Sequence, residues 1–148
     1  MRRSTFAGNQ RLPAMDASNH AVESDVTPSY NCIAWALGYA DAVWWPFEIE
    51  SADAYWPAEV PRGQTVDAFE AAFAKMGYCR CATHDLAPTL EKVAIFATED
   101  GDVTHAARQR ADGWWTSKLG RAEDVLHTLE ALEGPTYGRV VCVLARPR

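Results

Sequence analysis

The chain has 148 residues, of which 48 % are hydrophobic and 23 % are charged, with a formal net charge of −6. This length suits one domain with one core. Net negative charge repels a phosphate backbone, which argues against nucleic acid as the main partner. No apolar run approaches the ~20 residues of a membrane span, and the first 26 residues lack the apolar stretch of a secretory signal. We therefore expect no membrane partner and a cytoplasmic location, with export by a non-classical route left open.

Residues 1–26 are polar, with scattered Gly, Asn, Pro and Ser, and they predict an irregular N-terminal arm. Residues 27–148 predict a single α+β domain. Its first helix starts near Thr27, a capping residue, with Pro28 at a position that suits the first turn, and Gly38 can end it. The following stretch, 41–63, is rich in proline and aromatic residues, so it cannot be one helix and predicts a wall or lid near a site.

The rest of the domain alternates between helical and strand patterns. Thr65 caps an amphipathic helix that Gly77 ends, and a short strand follows near 78–84. The segments "KVAIFATE", "VTHAARQ" and "WWTSKL" predict three antiparallel strands joined by two turns. Residues 121–134 predict a further helix, and 137–146 predict a last, buried strand. The expected fold class is α+β, with an N-terminal helix packed on an antiparallel sheet and helices on one face.

Cys32 is the first candidate for chemistry. A free thiol titrates near ~8.5, and a helix N-terminus favours the thiolate, so a cysteine in the first turns of a helix can become a nucleophile. Ordinary packing is the alternative, because cysteine is among the residue types most often buried.

Side chains around Cys32 offer groups that could meet a substrate. Asn31 and Tyr30 stand at the helix entrance, where they could donate hydrogen bonds to an oxyanion or orient a substrate. Trp35 flanks the apolar stripe of the same helix, and Trp45 lies in the aromatic stretch. Both indoles are candidate substrate contacts, although large rings more often fill a core.

His105 is the candidate base, because it opens a strand directly after a tight turn and could face a cleft. A neutral imidazole needs its second nitrogen held, so that the tautomer is defined. The hairpin through "RADG" brings residues 115–117 near 105–109, which makes Ser117 and Gln109 the first candidates for that partner. Further options are Thr116, Asp124 and His127.

The order of these features resembles a known superfamily. A cysteine at a helix start, then strands, one of them headed by a histidine, is similar to the papain-like fold of the NlpC and CHAP type over roughly residues 28–120. The resemblance implies that Cys32 is the nucleophile, His105 the base, and a polar residue near Ser117 the group that orients the histidine. The arrangement "YNCIAWALG … THAARQ … WTSKLG … LEG" also resembles a small bacterial family of unknown function.

The sequence thus favours a cysteine hydrolase, either a peptidase or an amidase, acting on a peptide or amide substrate. The alternative is a non-catalytic module of the same fold that binds a protein or peptide through its aromatic loop. It predicts a buried, inert Cys32 and an exposed apolar patch around Trp44, Trp45 and Trp56. A small toxin or effector hydrolase is a third possibility. We expect no cofactor and no metal, because Cys79 and Cys81 are spaced too closely for a structural zinc site.

Overall fold

The computed structural model describes residues 12–16, 18–24, 30–38, 43–47, 54–119 and 124–148. Within these ranges the elements are β1 His20–Ser24, α1 Cys32–Ala36, β2 Val43–Trp44, β3 Ala54–Tyr55, α2 Val66–Ala74, β4 Cys79–Arg80, β5 Leu90–Ala97, β6 Val103–Gln109, β7 Trp115–Lys118, β8 Asp124–His127, α3 Leu129–Leu132 and β9 Arg139–Pro147. The fold is therefore α+β. No helix in these ranges combines the length and apolar character needed to cross a bilayer.

A seven-stranded sheet organises the molecule, with strand order β1-β8-β7-β6-β5-β9-β4. Every neighbouring pair in it is antiparallel. The three central strands that the sequence predicts, β5, β6 and β7, are confirmed, and so is the last strand, β9. A separate two-stranded parallel sheet joins β2 to β3 within the aromatic stretch.

The two faces of the sheet bury two different cores, because successive side chains of a strand point to opposite sides. On the first face, Val93 and Ile95 pack in one cluster with the buried residues of α1 and α2. On the second face, Ala94 and Phe96 pack with residues of the N-terminal segment, β8 and α3. The helices therefore lie on both faces, not on one as the sequence predicted, because the apolar side of α3 belongs to the second core.

The helix α2 is confirmed as predicted. Thr65 caps it, with Oγ1 accepting the Ala68 N–H at 3.1 Å. Phe69 and Phe73 are among its buried residues. By contrast, the helix predicted over 121–134 is wrong: Asp124–His127 form β8, and only Leu129–Leu132 are helical. β8 hydrogen-bonds to strands on both sides, so tertiary pairing overrides the local helical pattern.

The N-terminal part also differs from prediction. His20–Ser24, inside the predicted irregular arm, form β1 and pair with β8. The first helix starts later than predicted: its cap is Asn31, and Cys32 is its first residue. Thr27 and Pro28, the predicted cap and first position, lie outside the described residues.

Candidate functional site

Cys32 opens α1 and is nearly buried, with 8 % of its surface exposed. Three backbone N–H groups, those of Ala106, Ile33 and Cys32 itself, favour the thiolate, but loss of solvent outweighs them. Burial raises the pKa of the thiol to about 11. The expected lowering of this pKa by the helix is not seen, because α1 is only five residues long and its dipole cannot offset desolvation. The thiol is therefore neutral at pH 7.

The ladder between β6 and β7 stops short of the part of β6 that lies near the Cys32 sulfur. The β6–β7 ladder contains only Arg108 with Thr116 and Gln109 with Trp115. The β6 backbone from His105 to Ala107 is consequently not paired with β7, and the Ala106 N–H is directed to the Cys32 sulfur instead. This places the thiol beside the backbone of the residue that follows His105.

His105 is fully buried and belongs to a hydrogen-bonded chain on the second face of the sheet. Its Nε2 lies 2.9 Å from Ser117 Oγ, which lies 2.6 Å from His127 Nε2. The Nδ1 of His127 lies 2.8 Å from the Thr128 carbonyl oxygen. We call His105, Ser117 and His127 the histidine chain. Among the described residues, His105 Nδ1 has no hydrogen-bond partner, so it makes none to Cys32.

Both imidazoles of the histidine chain are uncharged at pH 7. Burial is the main cause that lowers the pKa of His105 well below its usual value, with a smaller contribution from the charge of His127. Burial likewise lowers the pKa of His127 to about 4, although its bond to the Thr128 carbonyl acts in the opposite direction. A neutral imidazole with one free lone pair is the protonation state that a general base requires.

Tyr137 covers the imidazole of His105. The two ring centroids are 4.3 Å apart, with an interplanar angle of 30°. Burial raises the pKa of the Tyr137 phenol, and the charge of Cys32 raises it further, which puts the phenol in the electrostatic range of the thiol. Tyr137 therefore contacts His105 and interacts electrostatically with Cys32.

Two glycines fix the loop that carries Tyr137. Gly134 and Gly138 exchange backbone hydrogen bonds of 3.0 and 2.8 Å. Gly138 has φ +80°, and a Cβ there would lie 2.0 Å from the Ala97 carbonyl oxygen. Only glycine fits this contact, so the loop and its tyrosine are held tightly against the end of β5.

The groups predicted to hold an oxyanion are occupied by structural hydrogen bonds. Asn31 Oδ1 accepts the N–H groups of Ala34 and Trp44, at 3.1 and 3.0 Å, and its Nδ2 donates to the Trp44 carbonyl at 2.7 Å. The Tyr30 hydroxyl donates to Asp124 Oδ2. These bonds fix the helix entrance to β2 and β8.

The two candidate indoles pack within the first face. Trp35 Nε1 donates to Thr116 Oγ1 at 3.0 Å, and the Arg108 guanidinium lies 5.3 Å from its ring centroid. Trp45 packs its edge on Phe69 of α2, with centroids 5.5 Å apart. Both indoles are half-buried.

Gln109 is not brought to His105. It lies four residues further along β6, which is about 13 Å at ~3.3 Å per residue. Its Nε2 donates to the His84 carbonyl at 3.1 Å. Of the two partners first expected for the imidazole, only Ser117 lies within hydrogen-bond distance of it.

A second buried polar group, the lysine cluster, contains Tyr30, Lys118 and Asp124. The Lys118 side chain is fully buried, and its Nζ lies 5.2 Å from the Tyr30 ring centroid. Lys118 and Asp124 are register partners in β7 and β8. Burial lowers the pKa of Lys118, and the Asp124 charge opposes this shift.

Metal binding has no support in the part of the chain that the structure describes, where no group of three or more His, Cys, Asp or Glu side chains could hold an ion. All four cysteines are free: Cys32 and Cys142 are buried, Cys79 is exposed and Cys81 is half-exposed.

Comparison with known proteins identifies the family. Residues 21–145 match the family model described as a domain of unknown function, DUF7689. The chain therefore belongs to that family. No curated protein matches the chain, and no solved structure matches it.

Two site residues were missed or misplaced by the sequence patterns. Tyr137 was read only as part of the last strand, although "GPTYG", an aromatic residue between two glycines, indicates a tight loop. His127 lies in the segment 121–134, which the sequence predicts to be a helix. In β8 it shares a face with Val125 and reaches Ser117.

Proposed function

We propose that this protein is a cysteine hydrolase with papain-like architecture, acting as a peptidase or amidase. Cys32 is the nucleophile, His105 Nδ1 is the base, and Ser117 orients the imidazole. Cys32 attacks the carbonyl carbon of a peptide or amide substrate as its thiol proton passes to Nδ1. The same proton then goes to the leaving amine, and water hydrolyses the thioester that remains.

One observation carries the proposal: the lone pair on His105 Nδ1. Because the Thr128 carbonyl can only accept, His127 presents a lone pair to Ser117. Ser117 Oγ then accepts the Nε2–H of His105, which leaves Nδ1 unprotonated and without a hydrogen-bond partner among the described residues. A fully buried nitrogen without a hydrogen-bond partner costs free energy, and a catalytic role is one reason for a protein to keep it. The Ala106 N–H gives a hydrogen bond to the Cys32 sulfur, and Ala106 directly follows His105 in β6, so the thiol lies near the strand that carries the base.

Burial of the thiol fits a closed state of such a site. Tyr137 lies on His105, and a cavity of about 720 Å³ lies outside its loop, lined in part by Ala97, Gly134, Gly138 and Arg139. In the proposal, substrate enters from this cavity and displaces the Tyr137 ring. Since the Asn31 amide holds β2, the oxyanion is held by backbone N–H groups at the sulfur, with that of Ala106 first among them.

The test is the alkylation rate of Cys32 against that of Cys142, which is also buried and whose thiol pKa is also raised by burial. The double variant Cys79→Ser/Cys81→Ser removes the two accessible thiols. A small neutral alkylating agent and peptide mapping by mass spectrometry then give a rate for each remaining cysteine.

We expect Cys32 to react faster than Cys142 at pH 7, with a rate that is flat over about two pH units around neutrality. A proton shared inside a neutral thiol–imidazole pair does not depend on bulk pH, whereas a lone thiol gains about tenfold per pH unit below its pKa. His105→Ala should slow Cys32 by ~10²-fold or more. Equal rates for the two cysteines, or no effect of His105→Ala, would refute the nucleophile.

Substrate class is tested separately with synthetic peptides and acyl amides, followed by mass spectrometry of the products. Turnover by the wild-type chain that is absent in Cys32→Ala supports the hydrolase. Turnover that persists in Cys32→Ala rules it out.

The second candidate is a binding module of the same fold, which the buried thiol with its raised pKa favours. Its other expectation, an exposed patch at Trp44, Trp45 and Trp56, is wrong for two of the three. Trp44 and Trp56 are 5 % and 4 % exposed, since both pack in the core of the first face. The exposed rings of this region are Phe47 and Tyr55. A Cys32 that reacts no faster than Cys142 would favour this candidate.

A further inference from the structure

We infer that His127 is a positioning residue that selects the tautomer of His105 through Ser117. His127 touches neither the thiol nor Nδ1 of His105, so it acts only through the serine hydroxyl. The inference rests on the proposed function, because it explains how the base keeps its lone pair, yet its test does not require turnover.

The direction of the histidine chain follows from its fixed end. The Thr128 carbonyl can only accept, so the neutral His127 carries its proton on Nδ1 and presents a lone pair at Nε2. Ser117 must then donate its single proton to His127 across 2.6 Å. Having no second proton, Ser117 can only accept from His105 Nε2, across 2.9 Å.

Only the hydrogen bond from His127 to the Thr128 carbonyl has a fixed direction; the other hydrogen bonds of the histidine chain can reverse donor and acceptor. A serine hydroxyl rotates freely, and an imidazole can carry its proton on either nitrogen. Without an acceptor at residue 127, the Ser117 hydroxyl would turn and donate to His105 Nε2. The proton of His105 would then move to Nδ1, and the base would lose the lone pair on that nitrogen.

The variants follow from this logic. His127→Leu removes the acceptor with little change in volume, so we expect His105 to change from the Nε2–H to the Nδ1–H form. His127→Gln offers a carbonyl oxygen in its place and should keep the wild-type form. The matched control is His20→Leu, since His20 is paired with His127 in the β1–β8 ladder but bonds to the Asp16 carbonyl, outside the chain.

The measurement is nitrogen-15 NMR of protein labelled at histidine, which distinguishes a protonated ring nitrogen from an unprotonated one. The chain has only four histidines, and the spectrum of His105→Ala assigns the signals of His105. Amide dispersion in the same samples shows that each variant is folded. If His127→Leu does not fold, the inference is tested with the wild type and His127→Gln. Both must show an unprotonated Nδ1 of His105.

A tautomer change in His127→Leu, with none in His127→Gln and His20→Leu, supports the inference. A folded His127→Leu variant that keeps the Nε2–H form would overturn it, and so would an Nδ1–H form in the wild type. The alkylation rate of Cys32 should fall by ~10²-fold in His127→Leu and stay within about tenfold in His127→Gln. The His105 tautomers could change as expected while Cys32 is alkylated no faster than Cys142. That result would support the role of His127 and reject the proposed hydrolase.

Discussion

The histidine chain and the lysine cluster are built by the same two strands and differ in almost every physical respect. Ser117 and Lys118 are neighbours in β7, and Asp124 and His127 both belong to β8, so alternation sends one of each pair to either face. On the second face the imidazoles are neutral, and His105 Nδ1 has no hydrogen-bond partner within the described ranges. On the first face, Asp124 accepts from Tyr30 and lies near the Lys118 ammonium.

The lysine cluster buries charged groups, whereas the histidine chain buries neutral ones. Charges taken out of water are tolerated only when partners surround them, and removal of one leaves the other exposed to the full desolvation cost. A neutral chain costs less to bury and can leave one position open for chemistry. We therefore expect changes in the lysine cluster to alter stability, and changes in the histidine chain to alter the reactivity of Cys32.

Lys118→Met should produce the largest loss of stability. It removes the positive charge of Lys118 that acts on the buried Asp124 carboxylate, and breaking a buried ion pair costs about 3–5 kcal/mol of unfolding free energy. Denaturant unfolding monitored by tryptophan fluorescence measures the loss. Lys92→Met is the matched control, because Lys92 is also buried but its ammonium bonds the carbonyls of Thr83 and Asp85. Equal losses in the two variants would remove the distinction between the clusters.

Acid should weaken the fold through the histidine chain. His127 has a folded pKa of about 4, below its unfolded value of 6.5, so the unfolded chain binds the proton more readily. The contribution of His127 to the free energy of unfolding is fully present above pH 6.5. It falls by about 1.4 kcal/mol per pH unit from pH 6.5 to pH 4. The difference in unfolding free energy between wild type and His127→Gln, followed over this range, isolates it from the carboxylates. A constant difference would contradict the neutral assignment.

Tyr30→Phe should have the smallest effect of the three. It removes one donor from Asp124 and keeps the ring that stacks on Trp35 at 5.2 Å. A lost hydrogen bond to a buried charge costs about 1.5–3 kcal/mol. Denaturant unfolding gives the loss, and the alkylation rate of Cys32 should remain unchanged. A lower alkylation rate of Cys32 in this variant would make Tyr30 part of the candidate site. The lysine cluster would then affect reactivity as well as stability.

Local patterns predicted much of the framework. Thr65 caps α2, which ends at Ala74, three residues before the predicted Gly77, and alternating apolar residues with tight turns define β5, β6 and β7. These features follow from near neighbours in the chain. Asp124–His127 could not be predicted in this way, because their helical spacing is overridden by hydrogen bonds to β1 and β7.

The sequence predicted the contact between His105 and Ser117, but it did not predict the electrostatics of Cys32. Cys32, His105 and Ser117 were selected from residue type and element order, and the structure places Ser117 at the imidazole. The pKa of Cys32 could not be predicted, because it depends on how completely the tertiary fold removes water from the thiol. Gln109 and Ser117 could not be told apart either, since that choice required the register of β6 on β7.

The absence of a side chain at Gly138 has a consequence for how freely this protein can vary. Pro135 is exposed at the tip of the same loop, so its identity can change with little penalty. At position 138 even one methyl group would meet the Ala97 carbonyl. The backbone would then have to retreat from β5 and carry the neighbouring aromatic ring off the imidazole. The position of the Tyr137 ring on His105 therefore depends on a glycine at residue 138.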